Sequence, residues 1–360
     1  MAPISLPLTP PPVSAYLFYL YPLSILSTGT SHLPWLYSSF GQLFRQPGGE
    51  LKFYHHPHST THSTRDAYTT TCPCLDIQTL DQDLVARGPE GIVSFATRCL
   101  REAIYVQVDV DFYHIPRRPQ YHRHHFLHEI LLSGVDPARQ AFEATGYGDT
   151  GRPATTWLAY EDLERGVATP RDDLLRDATA NGRPELDWLR ESLAGRPLLV
   201  LYRHRPHISC ELDLHLLAEQ LSDYLEARNS SERYRLLAPP ASTLWGLDVY
   251  LYLEDILGNP SRCSDGLAIP FRVLWEHKTL MLSRVRWLRR HSEVRIDVEV
   301  AAILEQVAAR LHSLRLVLLR WEETRRPEAL RRCIELLREA REVEREALSK
   351  LLGEVERAAA

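Results

Sequence analysis

The first 44 residues contain no lysine, arginine, aspartate or glutamate, and that absence shapes the reading of the N-terminus. A secretory signal places a basic segment ahead of its apolar run, and none precedes the apolar stretch 16–26. Prolines at positions 10, 11, 12 and 22 also fit such a signal poorly. The chain has no uninterrupted apolar window of about 18 residues, so no membrane partner is expected and 16–26 is predicted to be a buried helix. It also lacks a basic excess. Lys and Arg number 42 against 47 Asp and Glu, a net charge of −5, so no field exists to collect the phosphates of a nucleic acid. The basic runs Arg284–Arg290 and Arg325–Arg332 read as solvated helix faces. Six cysteines (72, 74, 99, 210, 263 and 333) show neither a disulfide framework nor a four-cysteine zinc spacing, which suits a reducing cytoplasm. No internal repeat is present.

What is there divides into two textures. Residues 1–210 are rich in Pro, Gly, His, Thr and Tyr, with short apolar runs between turn signals. Residues 211–360 carry Leu, Arg, Glu and Ala at helical spacing. The contrast predicts an α+β domain followed by an all-α domain, ordinary for a chain of 360 residues.

In the first half, Ile92, Phe95, Ala96, Cys99 and Leu100 repeat at i, i+3, i+4, predicting a helix over 91–101. Residues 104–113 set Tyr105, Gln107, Asp109 and Asp111 against Ile104, Val106, Val108 and Val110, the alternation of a half-buried strand. A second strand is predicted at 128–133, a tight turn at Gly134-Val-Asp-Pro137, and a hairpin return at 140–147. Residues 197–202, apolar on both faces, predict a central strand. In the second half, helices are predicted at 211–227, 245–257, 269–290, 295–324 and 327–357. Pro327 turns the last two into an antiparallel hairpin.

Histidine is the side chain whose charge changes near neutral pH, which draws attention to His124, His125 and His128. On a strand, His125 and His128 point to opposite faces, and no carboxylate or cysteine stands at a diagnostic ligand spacing. No metal and no cofactor are therefore expected. The second group, His55, His56, His58 and His62, lies in a polar loop. His125 can anchor the 116–121 loop. Asp109 and Asp111 share one side of their strand and can bind Arg117 and Arg118 or serve acid–base work. Glu276, His277 and Lys278 are consecutive on a helix and are not expected to act together.

Several pieces in order resemble a known family. They are Tyr105-Val106, Val108-Asp109, Phe112-Tyr113-His-Ile-Pro116, Tyr121, His125-Phe-Leu-His-Glu-Ile-Leu132, Gly134-Val-Asp136, Phe142, Gly146-Tyr147, Glu161-Asp-Leu163, Trp245-Gly246 and Trp275-Glu-His-Lys278. Together they resemble proteins like butirosin biosynthesis protein H, homologues of which lie near nonribosomal peptide genes, with a papain-like fold of the double-glycine leader peptidase type. The resemblance implies a papain-like α+β domain at 1–210, a helical domain at 211–360, and acyl or peptidyl transfer or hydrolysis in antibiotic-type secondary metabolism. It implies a carrier protein that presents the acyl group and a small-molecule or peptide acceptor. His128 would be the base and Glu143 or Asp149 would orient it. The nucleophile helix would fall near 13–28, where no cysteine stands. Ser14, Ser24, Ser27 and Thr28 are its hydroxyls, with Ser24 the candidate. Cys72 and Cys74 are the alternative thiols. The missing cysteine equally suits a catalytically inactive relative that serves as a binding or scaffold module.

Overall fold

The computed structural model describes residues 2–45, 50–55, 72–148, 152–180, 198–233, 244–262 and 267–360. In chain order the N-terminal elements are β1 (Ile4–Ser5), α1 (Leu17–Leu26), α2 (Leu33–Ser39), β2 (Gln42–Arg45) and β3 (Leu51–Tyr54). There follow β4 (Leu75–Asp81), α3 (Gln82–Ala86), α4 (Gly91–Arg101), β5 (Ile104–Asp111), β6 (Leu127–Asp136), β7 (Ala141–Tyr147), β8 (Pro153–Ala159), α5 (Tyr160–Ala168), α6 (Arg171–Ala180) and β9 (Leu198–His204). The remainder is α7 (Leu214–Leu225), β10 (Leu244–Trp245), α8 (Val249–Gly258), α9 (Ala268–His291), α10 (Val298–Thr324) and α11 (Pro327–Ala359). The fold is mixed α and β, with an antiparallel sheet and a C-terminal helical region. No helix among the described residues is long and apolar enough to cross a membrane.

Two units emerge, and they do not follow the contiguous 1–210 and 211–360 division. One comprises Met1–Pro10, Leu20–Thr30 and Ser63–Ser209; the other comprises Pro11–Tyr19, Ser31–His62 and Cys210–Ala360.

In the first unit the sheet order is β4-β9-β5-β6-β7-β8, every neighbour antiparallel, with β1 added to β6 through Ile4↔Val135. The alternation on β5 sends Val106, Val108 and Val110 into a core with Ile130 and Leu132 of β6, Ile92, Ala96, Cys99 and Leu100 of α4, and Leu163 of α5. The opposite, more polar face of β5 is buried too, rather than half-exposed. Tyr105 and Gln107 are 3% and 1% exposed. The Tyr202 hydroxyl donates to Gln107 Oε1 at 2.7 Å and that of Tyr105 to the Pro7 carbonyl at 2.6 Å, so the buried polar atoms are satisfied. Tyr21 of α1 reaches the carbonyls of Glu129 and Thr145, 3.0 Å from each.

Gly134 is not a turn residue. β6 runs on to Asp136, the turn lies at 137–140, and the register with β7 shifts between Leu132 and Gly134. A Cβ at 134 would collide with the Glu143 carboxylate and stand 2.7 Å from the Ile4 carbonyl, so glycine is required by close approach of two strands.

In the second unit a three-stranded sheet, β10-β2-β3, stacks Trp245 on Phe44 at 5.0 Å. The buried stripe of α9 includes His277, Met281, Arg284 and Leu288 at helical spacing. Arg284 therefore lies in the core and not on a solvated face. Its Nε donates to the Tyr37 carbonyl at 2.6 Å, and burial pulls its guanidinium down to about 10. Glu276 accepts from the amides of Ser14 and Ala15 and from the Ser14 hydroxyl, each at 3.0 Å. His277 and Lys278, though consecutive, meet: Lys278 Nζ donates to His277 Nδ1 at 2.9 Å, and His277 Nε2 donates to the Gly41 carbonyl at 3.0 Å. Their long side chains converge where simple helix-face geometry separates neighbours. α10 ends at Arg325 in the left-handed region (φ 53°), and Pro327 opens α11. Lys350 near the end of α11 pairs with Glu299 near the start of α10 at 3.1 Å, so the two helices are antiparallel.

Candidate functional site

The most organised polar group in the first unit lies where β5 ends. Asp111 terminates the strand, and its Oδ1 accepts the Tyr113 amide at 3.1 Å, capping a short 3-10 turn over 112–114. The chain loops out and returns so that the Phe126 amide reaches the same oxygen at 2.9 Å and Phe112 N–H bonds the Phe126 carbonyl at 2.8 Å. Antiparallel pairing of Asp111 with Leu127 fixes this closure. Oδ2 accepts from His125 Nδ1 at 2.5 Å and from the Thr169 hydroxyl at 3.0 Å. Asp111 is fully buried, and four donors offset the desolvation of its carboxylate.

His125 is held from several sides. Its amide donates to Asp177 Oδ2 at 3.2 Å, and the Tyr113 ring stacks on it at 4.5 Å. With Nδ1–H on Asp111, Nε2 is the nitrogen that accepts a proton, the arrangement of a carboxylate-oriented base. His114 Nε2 stands 3.9 Å from the same Asp111 oxygen. Burial pushes the His114 imidazole below its ordinary value, Asp111 opposing and His125 reinforcing the shift. Asp111, His114 and His125 bring metal-binding atoms within 4.8 Å of one another. Thr169 also lines a cleft of about 570 Å³ whose wall includes Asp83, Arg87, Ile92 and Glu164.

The residues nominated from the sequence fall in different places. His128 lies on β6 opposite Val110, its ring stacked on Phe112 at 5.5 Å. Its Nδ1 is 3.1 Å from Glu129 Oε2, within ion-pair range but not aligned for a hydrogen bond. Burial pulls its pKa down, but the Glu129 carboxylate and Asp109 outweigh that, and the net displacement is upward. Glu143 pairs with Gly134, and its carboxylate takes the Ser5 hydroxyl at 2.6 Å, so it does not orient His128. Ser24 is buried in α1. Its carbonyl accepts the Thr9 amide at 3.1 Å, and its hydroxyl makes no hydrogen bond to His128. Cys74 donates to the Ile208 carbonyl at 3.2 Å beside the edge strand β4, from which β9 and β5 separate β6. Asp149, His56, His58 and His62 lie outside the described residues. His55 stacks on Phe40 at 4.5 Å.

Asp111 binds the 113–126 turn rather than Arg117 or Arg118. The Arg118 guanidinium sits over the Phe112 ring at 4.9 Å and donates to the Tyr147 carbonyl. Sequence reasoning named Asp111 and His125 separately and did not join them. The local signal is a strand-ending Asp followed by aromatic residues and a Pro, with a His two residues before the next strand. No protein-family model and no curated protein matches the chain.

Proposed function

We propose that this chain is an accessory acyl- or peptidyl-transferring protein of secondary metabolism, of the papain-like, butirosin biosynthesis protein H type, with His125 as its base. The observation that carries the reading is the fully buried Asp111 carboxylate 2.5 Å from His125 Nδ1. In this reading a carrier protein presents an acyl thioester, and a hydroxyl or amine of a small-molecule or peptide acceptor attacks its carbonyl directly. His125 Nε2 takes the acceptor proton as the new acyl bond forms, then returns it to the departing thiolate. No protein nucleophile is needed, which suits a chain without a cysteine in α1. In this reading the acceptor enters through the cleft that Thr169 lines, the Thr169 hydroxyl being bonded to Asp111.

The test is thiol release from acyl-pantetheine thioesters in the presence of hydroxyl and amine acceptors. His125→Gln is expected to lower turnover by about 100-fold or more, the usual worth of a positioned base. Wild-type protein inert to a thioester panel, or a fully active His125→Gln, would overturn the enzyme reading. A second reading, a catalytically inactive binding or scaffold module, is favoured by Ser24 and His128 making no hydrogen bond to each other, and an inert wild type would leave it standing.

A further inference from the structure

We propose that Asp111, His114 and His125 bind a divalent transition-metal ion of the zinc class, and that the bound ion switches off His125 as a base. The regulatory half rests on the reading of His125 given above; the binding half does not.

The donor set is one carboxylate oxygen and two imidazole nitrogens, which suits zinc, cobalt and ferrous ions and disfavours magnesium or calcium. Asp111 Oδ2 stands 2.5 Å from His125 Nδ1 and 3.9 Å from His114 Nε2, and all three atoms lie within 4.8 Å of one another. With metal–ligand bonds of about 2.0–2.1 Å, neighbouring donors of a tetrahedral shell lie on the order of 3.3 Å apart. Small rotations of the two rings bring the three atoms to that spacing. The imidazoles are 25% and 23% exposed while Asp111 is sealed, so an ion enters from the solvent edge and keeps its fourth position open on that side.

The surroundings hold the ligands in place. Asp111 Oδ1 is fixed by the Tyr113 and Phe126 amides and Oδ2 by Thr169. The Tyr113 ring stacks on His125 at 4.5 Å and meets His114 edge-on at 5.1 Å, so one side chain restrains both rings. The chemistry of the switch follows from tautomerism. An ion on His125 Nδ1 displaces the proton shared with Asp111 and leaves the neutral ring protonated at Nε2. The single ring proton has passed from Nδ1 to Nε2, none being lost from the neutral ring, and Nε2 can then no longer accept a proton.

Titration of metal-free protein with Zn²⁺ by calorimetry, and visible absorption of the Co²⁺ form, test the site; circular dichroism establishes that each variant is folded. The expected result is one strongly bound ion per chain, with affinity lowered about 100-fold in His114→Ala. With each protein compared with its own metal-free rate, Zn²⁺ should inhibit thioester turnover of wild type and not of His114→Ala. Absence of stoichiometric binding, or equal affinity in His114→Ala, overturns the metal site. His114-dependent binding in a protein that turns over no thioester supports the site and removes the base reading. Turnover indifferent to bound zinc retains the site and overturns the switch.

Discussion

Lys278 and Glu344, 66 residues apart in sequence, form an ion pair of 2.5 Å in which neither side chain is exposed. The ammonium spends its three donors on Glu344, the Tyr224 hydroxyl at 2.5 Å and His277 Nδ1 at 2.9 Å. Tyr250 donates to the second Glu344 oxygen at 2.5 Å. Burial pulls the Lys278 ammonium down to about 8, with Glu344 opposing. The pair joins α9 to α11, and removing either member strands a charge.

Lys278→Met is expected to cost about 3–5 kcal/mol because it leaves the Glu344 carboxylate buried without a cation. The double variant Lys278→Met/Glu344→Leu should be more stable than that single variant. Urea denaturation checks this, and a double variant at least as damaged as the single one contradicts it.

Gly246 has φ +52°, and a Cβ there would run into the Tyr224 carbonyl. Gly246→Ala combines left-handed strain with a backbone clash and should lower stability by about 3 kcal/mol. A melting temperature equal to wild type would show that the second unit gives way there.

Stability should also depend on pH through His128. Its folded pKa lies above the ordinary 6.5 because Glu129 outweighs burial. The contribution is complete below that ordinary value and is lost as pH rises through the raised one. The margin by which wild type exceeds Glu129→Gln should therefore shrink from about pH 6 to about pH 9. Thermal denaturation at both pH values measures it; a constant margin rules out the coupling.

Tyr21 wedges its hydroxyl between the carbonyls of Glu129 and Thr145. Tyr21→Phe keeps the ring and removes the one O–H that the two carbonyls share, at a cost of about 1–3 kcal/mol. A neutral substitution, read by chemical denaturation, would mean that water takes over both carbonyls.

Burial pushes the Cys99 and Cys333 thiols up to about 11. Both should resist alkylation in native protein near neutral pH and react at once in denaturant, as site-resolved mass spectrometry can record. Rapid native labelling of either would show that its core opens readily.

The helices were legible because their apolar residues recur at 3.6-residue spacing. Ile92, Phe95, Ala96, Cys99 and Leu100 predict α4, and Leu330, Cys333, Leu336 and Leu337 predict the hairpin of α10 and α11. The β5 alternation was equally plain, but that both its faces are buried was not, since Tyr105 and Gln107 look solvent-facing until Pro7 and Tyr202 satisfy them. Arg284 misled for the converse reason. A run of arginines reads as a surface, yet periodicity put this one in the stripe with His277 and Leu288.

What the sequence determined by itself is therefore local: strand and helix identity, and the break in texture near residue 210. Only the tertiary structure decided the site. Asp111 and His125 lie fourteen positions apart across a loop, and nothing in their spacing says that antiparallel pairing of β5 with β6 closes it. His128 and Ser24 carry the right chemistry on the right elements and are not hydrogen-bonded, because pairing depends on register and packing that residue type alone does not encode.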